Sequence, residues 1–478
     1  MKATTTSNLV GLDFGTTTMS ALVAEGSIRR NVVSGRMELS IVRETFRSPL
    51  EFTPVDGDRL DLAATLTLVD DWLDRGGIRP GECPMLGGGA ILTGLTARRE
   101  NAAGLVAALR RRLGPAIIAT ADDPCLESWL AFQGSCAALS RRHPRRSFIH
   151  LDIGGGTTNL ALGRNGDVIA TGCLFVGARH VRFVTGTRRI ESLSPHAIAL
   201  FSALGIRVLP GDDLRAEDLD RILDWYIALL ARAVAGTAVD PASPSTLGHV
   251  QVPFPPVHGV DAADTILTLS GGVGELVYAA AAGNDLSNAT PYGDLGIDLA
   301  RRLLAHPVWS RHWHSHMPDG GGRATVAGLL RHATRISGAS IHLASPDLLP
   351  LTDLPIVGTL TPQSNDHALW RVIDLACRSS VGAAIRVHEL PPTADAVRRF
   401  GDRLAAILES IAWADNQSLV LLLDSNAGKA LGQCATRWGR LRVPLVVVDE
   451  LDLPDARFAT LGAARDGVVP VSFHGVQG

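Results

Sequence analysis

The chain has 478 residues, 46% hydrophobic and 19% charged, with a formal net charge of −3. This length predicts two to four domains, the composition excludes a disordered chain, and the charge gives no basic field for nucleic acid. Six cysteines without a CxxC pair argue for a reduced, cytosolic chain; no signal peptide is apparent, and the most membrane-like run, YIALLARAVAGTAV, is broken by Arg232, so no membrane partner is expected.

In chain order, residues 8–25 read as a hairpin, NLVGLDF and MSALVAE around a tight turn, followed by further strands up to a loop ending at Pro54. Leu62, Leu66, Val69 and Leu73 have helical spacing, and Gly76–Gly77 end that helix. GGGAILTGLTA is strand, turn and helix start; a second helix covers 100–112; Pro115 opens a short strand; a third helix starts near Pro124. The plan then repeats. SFIHLDI is a strand, GGGTT a turn, two more strands follow, and 195–240 are mostly helical. The Pro/Gly-rich stretch 243–259 reads as a surface loop, TILTLSGGVGEL as strand, turn and helix start, and RATVAGLLRHATRISG as a strand or loop leading into a helix. From about residue 345 buried strands alternate with helices, which predicts a separate α/β domain. The expected division is 1–147, 148–344 and 345–478.

One bend occurs twice, in GLDFGTTTMS (11–20) and LDIGGGTTNLAL (151–162). A tight turn between strands points successive N–H groups the same way and forms an anion-binding nest. Glycines allow close approach and threonines add hydroxyl donors. A carboxylate at the strand end holds Mg²⁺ through water, and the ion bridges phosphate oxygens. Asp13, Gly15, Thr16, Thr17 and Thr18, and Asp152, Gly154, Gly155, Gly156, Thr157 and Thr158, therefore read as two phosphate clamps, with Asp13 and Asp152 as metal-holding, catalytic carboxylates. A single DxGTTT also fits an ordinary hairpin turn; the pair, joined by a third Gly-rich turn, makes coincidence remote. That third element, LSGGVGE (269–275), offers Gly271, Gly272 and Gly274 to a sugar and base. No P-loop pattern occurs.

In order and type, these three elements resemble the actin, sugar kinase and heat-shock ATPase superfamily. The resemblance implies an α/β fold of two actin-like (ribonuclease H-like) lobes around a nucleotide cleft, with ATP and Mg²⁺ as cofactors. It also implies crossing helices at a hinge. Gly134, Ser135 and Ala137, and Ala327 and Gly328, are small enough to allow such a crossing, or are simply packed in helices; Phe132 and Leu329–Leu330 are large for that place. Asp123 and Glu127 are further candidate catalytic carboxylates that could orient water or Mg²⁺, Asp123 being equally suited to cap a helix.

A narrower resemblance rests on RSPLEFTPVD (47–56), ILTGLTARRENA (91–102), DIGGGTTNLAL (152–162), LSGGVGE, RATVAGLLRHATRISG (323–338), GKALG (428–432) and VPLVVVDE (443–450). These collinear stretches resemble the ethanolamine ammonia-lyase reactivating factors, the EutA family. The resemblance implies a chaperone with ATPase activity that exchanges damaged cobalamin for adenosylcobalamin on ethanolamine ammonia-lyase. It implies a cytoplasmic protein, with a bacterial microcompartment as one setting and a homo-oligomer left open. A small-molecule kinase on the same cleft is the alternative, although no segment clearly supplies its Asp base. A filament-forming or scaffold protein is a third reading.

Other signals are weaker. His312, His314 and His316 alternate as a metal site would need, or lie in a loop beside Pro318 and a Gly run. RRHPRR (141–146) suits phosphate or an acidic partner, or a solvated linker. Lys429 lies at a helix start, and the amphipathic 396–414 helix faces a partner or its own core.

Overall fold

The computed structural model describes residues 6–476 apart from 33–34, 80–84, 114–117, 122–123, 238–239, 256–264, 287–291, 319–320, 333, 339, 380, 414–416, 454–455 and 465–466. Three sheets organise the chain. β1 (Thr6–Phe14), β2 (Thr18–Arg30) and β3 (Met37–Arg47) form an antiparallel meander. β4 (Met85–Leu92) and β5 (Ile118–Ala121) continue it in parallel beyond β1, in the order β3-β2-β1-β4-β5. Helices α1 (Leu62–Arg75) and α2 (Ala102–Leu113) cover one face, packing Val69, Trp72, Leu105 and Leu109 against Val10, Leu12 and Leu92. The apolar spacing read in α1 is the packed stripe, and the Asp61 side chain caps it by accepting from Ala64 N at 3.0 Å.

The chain leaves this sheet through α3 (Pro124–Ala131), a π-helical turn (Phe132–Cys136) and α4 (Ala137–Arg142). RRHPRR then runs exposed. In the second sheet β6 (Ser147–Ile153), β7 (Thr158–Arg164) and β8 (Asp167–Leu174) repeat the antiparallel meander. β9 (Val250–Val252) extends it at the edge, and β10 (Thr265–Ser270) lies parallel to β6 on the other side, giving β9-β8-β7-β6-β10. A first strand flanked by an antiparallel second and third and a parallel fourth is thus common to both sheets. This doubled ribonuclease H-like plan is the α/β, actin-like fold that the paired bends implied. α5 (Pro195–Leu204), α6 (Ala216–Val234), α7 (Gly271–Ala281) and α8 (Gly296–Leu304) bury Leu200, Ile222, Leu230, Val277 and Leu299 against Leu151, Leu160 and Leu269.

Two local readings change. The 243–259 stretch is not all loop: Val250 is buried and pairs with Leu174, and Val252 with Cys173, so 250–252 forms an edge strand. In RATVAGLLRHATRISG the helix comes first, α9 (Ala324–His332), and strand β11 (Thr334–Ile336) follows. Val326 and Leu330 join Leu9, Leu22 and Ala24, while Leu329 joins Ile91, Leu126 and Leu130, so the apolar residues serve two faces of a helix.

The third sheet contains β11, β12 (His342–Leu343), β13 (Leu351–Leu360), β14 (Ala383–Val387), β15 (Leu419–Leu423), β16 (Leu445–Val448), β17 (Ala456–Leu461) and β18 (Pro470–Val476), ordered β11-β18-β17-β13-β14-β15-β16-β12. β13 to β16 are parallel, joined by α10 (Asp366–Cys377), α11 (Ala394–Glu409) and α12 (Gly428–Ala435). The apolar face of α11 packs Phe400 and Leu404 into this core, with Leu421 and Val447. No helix among the described residues is long and apolar enough to cross a membrane.

α9 crosses the connecting helix where the small residues sit. A Cβ on Gly134 would lie 1.9 Å from the Ala324 carbonyl, and one on Gly328 would lie 2.2 Å from that of Leu130. Phe132 does not obstruct the crossing, because it turns into the second sheet beside Phe148, Ala161 and Ile266.

Candidate functional site

The common strand order brings the two bends face to face. In each, the glycine after the Asp-x pair closes the turn: Gly15 N donates to Thr18 O at 2.9 Å and Gly154 N to Thr157 O at 3.0 Å. The bends touch, since a Cβ on Gly155 would lie 2.0 Å from Thr17 Oγ1. Only glycine fits there.

A cavity of about 420 Å³ opens between the sheets. Asp13, Gly15, Thr16, Thr17, Thr18, Glu127, Asp152, Gly154, Gly155, Gly156, Thr157, Gly271 and Gly272 line it. Two predicted residues do not. Thr158 Oγ1 donates to Val176 O at 2.7 Å inside the second sheet, and Gly274 packs on Leu269 within α7. Asp123 lies outside the described residues.

The cavity also takes residues that the sequence did not single out: Thr93, Asn159, Glu275, Asp294 and Thr325, with Phe52 and Tyr292 edge-to-face at 6.3 Å. Thr93 follows β4 directly and donates to Asp13 Oδ1 at 3.4 Å; Thr325, at the start of α9, donates to Asp152 Oδ2 at 3.4 Å. Among the described residues the carboxylates of the cavity are Asp13, Glu127, Asp152, Glu275 and Asp294, and no Lys or Arg joins its lining.

The electrostatics follow from burial. Asp13 is pushed up to about 7, mainly by burial and next by the negative charge of Asp152. Burial also raises Asp152, against the opposing hydrogen bonds of Ser270, at 2.5 Å, and Thr325. Two facing carboxylates that resist ionising together would be relieved by a shared cation. Behind the second bend, His180 Nε2 lies 2.8 Å from the Gly156 carbonyl and burial lowers its pKa to about 3, so the ring is neutral.

The histidine run has no comparable setting. His312 ends a short 3₁₀ turn and His316 sits 5.4 Å from the His143 ring. Among the described residues no three His, Cys, Asp or Glu side chains are grouped to hold a metal. A cation held between Asp13 and Asp152 would complete its shell with water and phosphate oxygens, as Mg²⁺ usually does.

The donor set suits a magnesium nucleotide. Among the described residues Thr17 Oγ1 and Asn159 Oδ1 are buried without a hydrogen-bond partner, the glycine bends leave room for phosphate oxygens, and a cation would neutralise the acidic lining.

Residues 5–476 match the family described as ethanolamine utilisation protein EutA. The chain is 29% identical, over 482 residues and 97% of both chains, to the ethanolamine ammonia-lyase reactivase EutA of Salmonella typhimurium. Against the protein of the same name from Escherichia coli the figures are 29% over 484 residues, again 97% of both. A solved PPX-GPPA enzyme of Aquifex aeolicus is 15% identical, with 59% of this chain and 73% of that one covered and a TM-score of 0.33, too loose a match to support any argument. The chain belongs to the EutA family of ethanolamine utilisation proteins.

Proposed function

We propose that this protein is an ATP-dependent reactivating factor for ethanolamine ammonia-lyase, exchanging damaged cobalamin on that enzyme for adenosylcobalamin. Family membership and the names of the two relatives support the partner and the task. The observation that carries the ATP dependence is the convergence of Asp13, Asp152 and Glu127 with both glycine bends on one cavity between the lobes.

In this reading the backbone N–H groups and threonine hydroxyls of the two bends bind phosphate oxygens from opposite sides. Asp13 and Asp152 hold the cation, and Glu127, buried on α3, orients the attacking water. Asp123 is retained as a second candidate for that role. Gly271 and Gly272, at the start of α7, receive the nucleoside, and Gly274 supports them by packing α7 on β10. Mg²⁺, when bound, neutralises charge on the phosphate chain. The working units are 1–147, a second lobe from 148 to about 333, and a third that starts at β11 (Thr334) rather than at 345, because β11 and β12 already belong to its sheet; the third is the docking module, and the setting is the cytoplasm, alongside a bacterial microcompartment.

The coupling is linkage. Bends on two lobes grip a triphosphate best when closed, and the crossing at Gly134 and Gly328 is where the lobes pivot. A ligand shifts a partner only by its differential affinity, and moving an equilibrium from 99:1 to 1:99 requires about 5.5 kcal/mol. The test combines the protein with cyanocobalamin-blocked ethanolamine ammonia-lyase, free adenosylcobalamin, ATP and Mg²⁺. Deamination is expected to return only with every component present. Equal recovery without ATP, or none at all, contradicts the proposal.

A further inference from the structure

We infer that His150 is a positioning residue for Asp152, acting through Ser270, and that it ties this carboxylate to the π-helical turn at the helix crossing. The inference takes one element from the proposed function: that Asp152 faces the bound magnesium nucleotide.

Strand alternation puts Phe148, His150 and Asp152 on one face of β6, and the parallel register sets Ile266, Thr268 and Ser270 of β10 beside them. That face lies under the connecting helix. His150 is fully buried there. Its Nδ1 is 2.8 Å from Thr268 Oγ1, and its Nε2 is 2.9 Å from Ser135 Oγ and 2.8 Å from Ser270 Oγ.

Counting protons gives the network a direction. The Ser135 hydroxyl donates to the Ala131 carbonyl at 2.6 Å, as a helical serine does. With Asp152 ionised, as holding a cation requires, the Ser270 hydroxyl donates to Asp152 Oδ1 at 2.5 Å. Both hydroxyl protons are committed, so both oxygens accept at Nε2, and the proton they share is Nε2–H. Nδ1 is then bare and accepts the Thr268 hydroxyl, which leaves the Cys136 thiol to donate to Thr268 Oγ1 at 3.4 Å. One neutral tautomer satisfies every group. The chain runs Cys136 to Thr268 to His150 to Ser270 to Asp152, with a branch to Ser135.

Two consequences follow. Nε2–H fixes the Ser270 oxygen, so the serine hydroxyl can only point at Asp152, and the carboxylate is held in one rotamer. Ser135 and Cys136 belong to the π-helical turn that crosses α9 at Gly134. A shift of that crossing therefore moves His150 and, through Ser270, the orientation of Asp152. Among the described residues Asp13 has no equivalent behind it.

The test uses the full chain. With ¹⁵N-histidine labelling, one buried ring, identified by its absence from His150→Gln, is expected to show a protonated Nε2 and a bare Nδ1. A protonated Nδ1 overturns the assignment. The second readout is the Mg²⁺ dependence of ATP hydrolysis. Ser270→Ala and His150→Leu are expected to raise the Mg²⁺ concentration for half-saturation about tenfold, the size of a lost hydrogen bond to a charged group, with the KM for ATP changed much less. His150→Gln, whose amide donates to Ser270 and accepts from Thr268, is expected to restore most of it. Unchanged Mg²⁺ half-saturation in folded Ser270→Ala, or a Gln variant no better than Leu, overturns the positioning role. Should His150→Leu fail to fold, Ser270→Ala and Ser135→Ala carry the comparison. If the wild-type chain hydrolyses no ATP, the proposed function fails on that result, while the tautomer measurement still decides the His150 assignment.

Discussion

The bends at 13–18 and 152–158 share a sequence pattern, a strand order and a backbone hydrogen bond, yet their carboxylates are supported differently. Asp13 receives one long hydrogen bond, from Thr93 at 3.4 Å. Asp152 receives a short one from Ser270 and a long one from Thr325, and Ser270 is itself held by His150. The motif determines the turn; the packing behind it determines how firmly the carboxylate is aimed. The second lobe thus carries the more firmly held carboxylate and the first the less firmly held one.

The largest expected effect tests that asymmetry. Asp152→Ala is expected to abolish ATP turnover and lyase reactivation together, a loss on the order of a thousandfold, with Asp13→Ala losing less; reactivation at the wild-type rate in Asp152→Ala breaks the scheme. Next comes contact between the bends. Gly155→Ala puts a Cβ 2.0 Å from Thr17 Oγ1, so nucleotide affinity measured by calorimetry is expected to fall about tenfold, alongside the stability loss of about 1–3 kcal/mol that overpacking brings. A large melting shift with normal affinity would mean that the contact is only structural.

A pH comparison comes third. Asp13 has a folded pKa raised to about 7 from 3.8, so the stability associated with its protonation is complete below the unfolded value and lost as pH rises through the folded one. Without Mg²⁺ or nucleotide, the melting temperature of Asp13→Asn relative to wild type is expected to climb between pH 5 and pH 8, by a few kcal/mol equivalent at most, and saturating magnesium nucleotide is expected to shrink that gap. A pH-independent difference contradicts the burial argument. The smallest effects belong to the long bonds: Thr93→Val and Thr325→Val are each expected to raise the Mg²⁺ half-saturation about threefold or less, and a larger effect at Thr93 than at Ser270→Ala would reverse the comparison.

What the sequence revealed was local. A turn needs its glycines and hydroxyls within a few residues of its carboxylate, so both bends are readable as strings, and so are the small residues at Gly134 and Gly328. What it hid depends on topology. Thr93 meets Asp13 across 80 residues and Thr325 meets Asp152 across 173; no local pattern marks either, and only the parallel fourth strand and the crossing helix deliver them. The reversed order of α9 and β11 has the same origin, because Leu329 and Leu330 look alike in the sequence and pack into different cores. The strand at 250–252 is short and surrounded by turn residues, so its pairing with β8 outweighs its composition.

The most direct measurement is a structure of the protein with Mg²⁺ and a nonhydrolysable ATP analogue. One nucleotide is expected to span both bends, its phosphates against the backbone of 15–18 and 154–157 and its cation facing Asp13 and Asp152. A nucleotide held by one lobe alone, or bound away from both carboxylates, would contradict it.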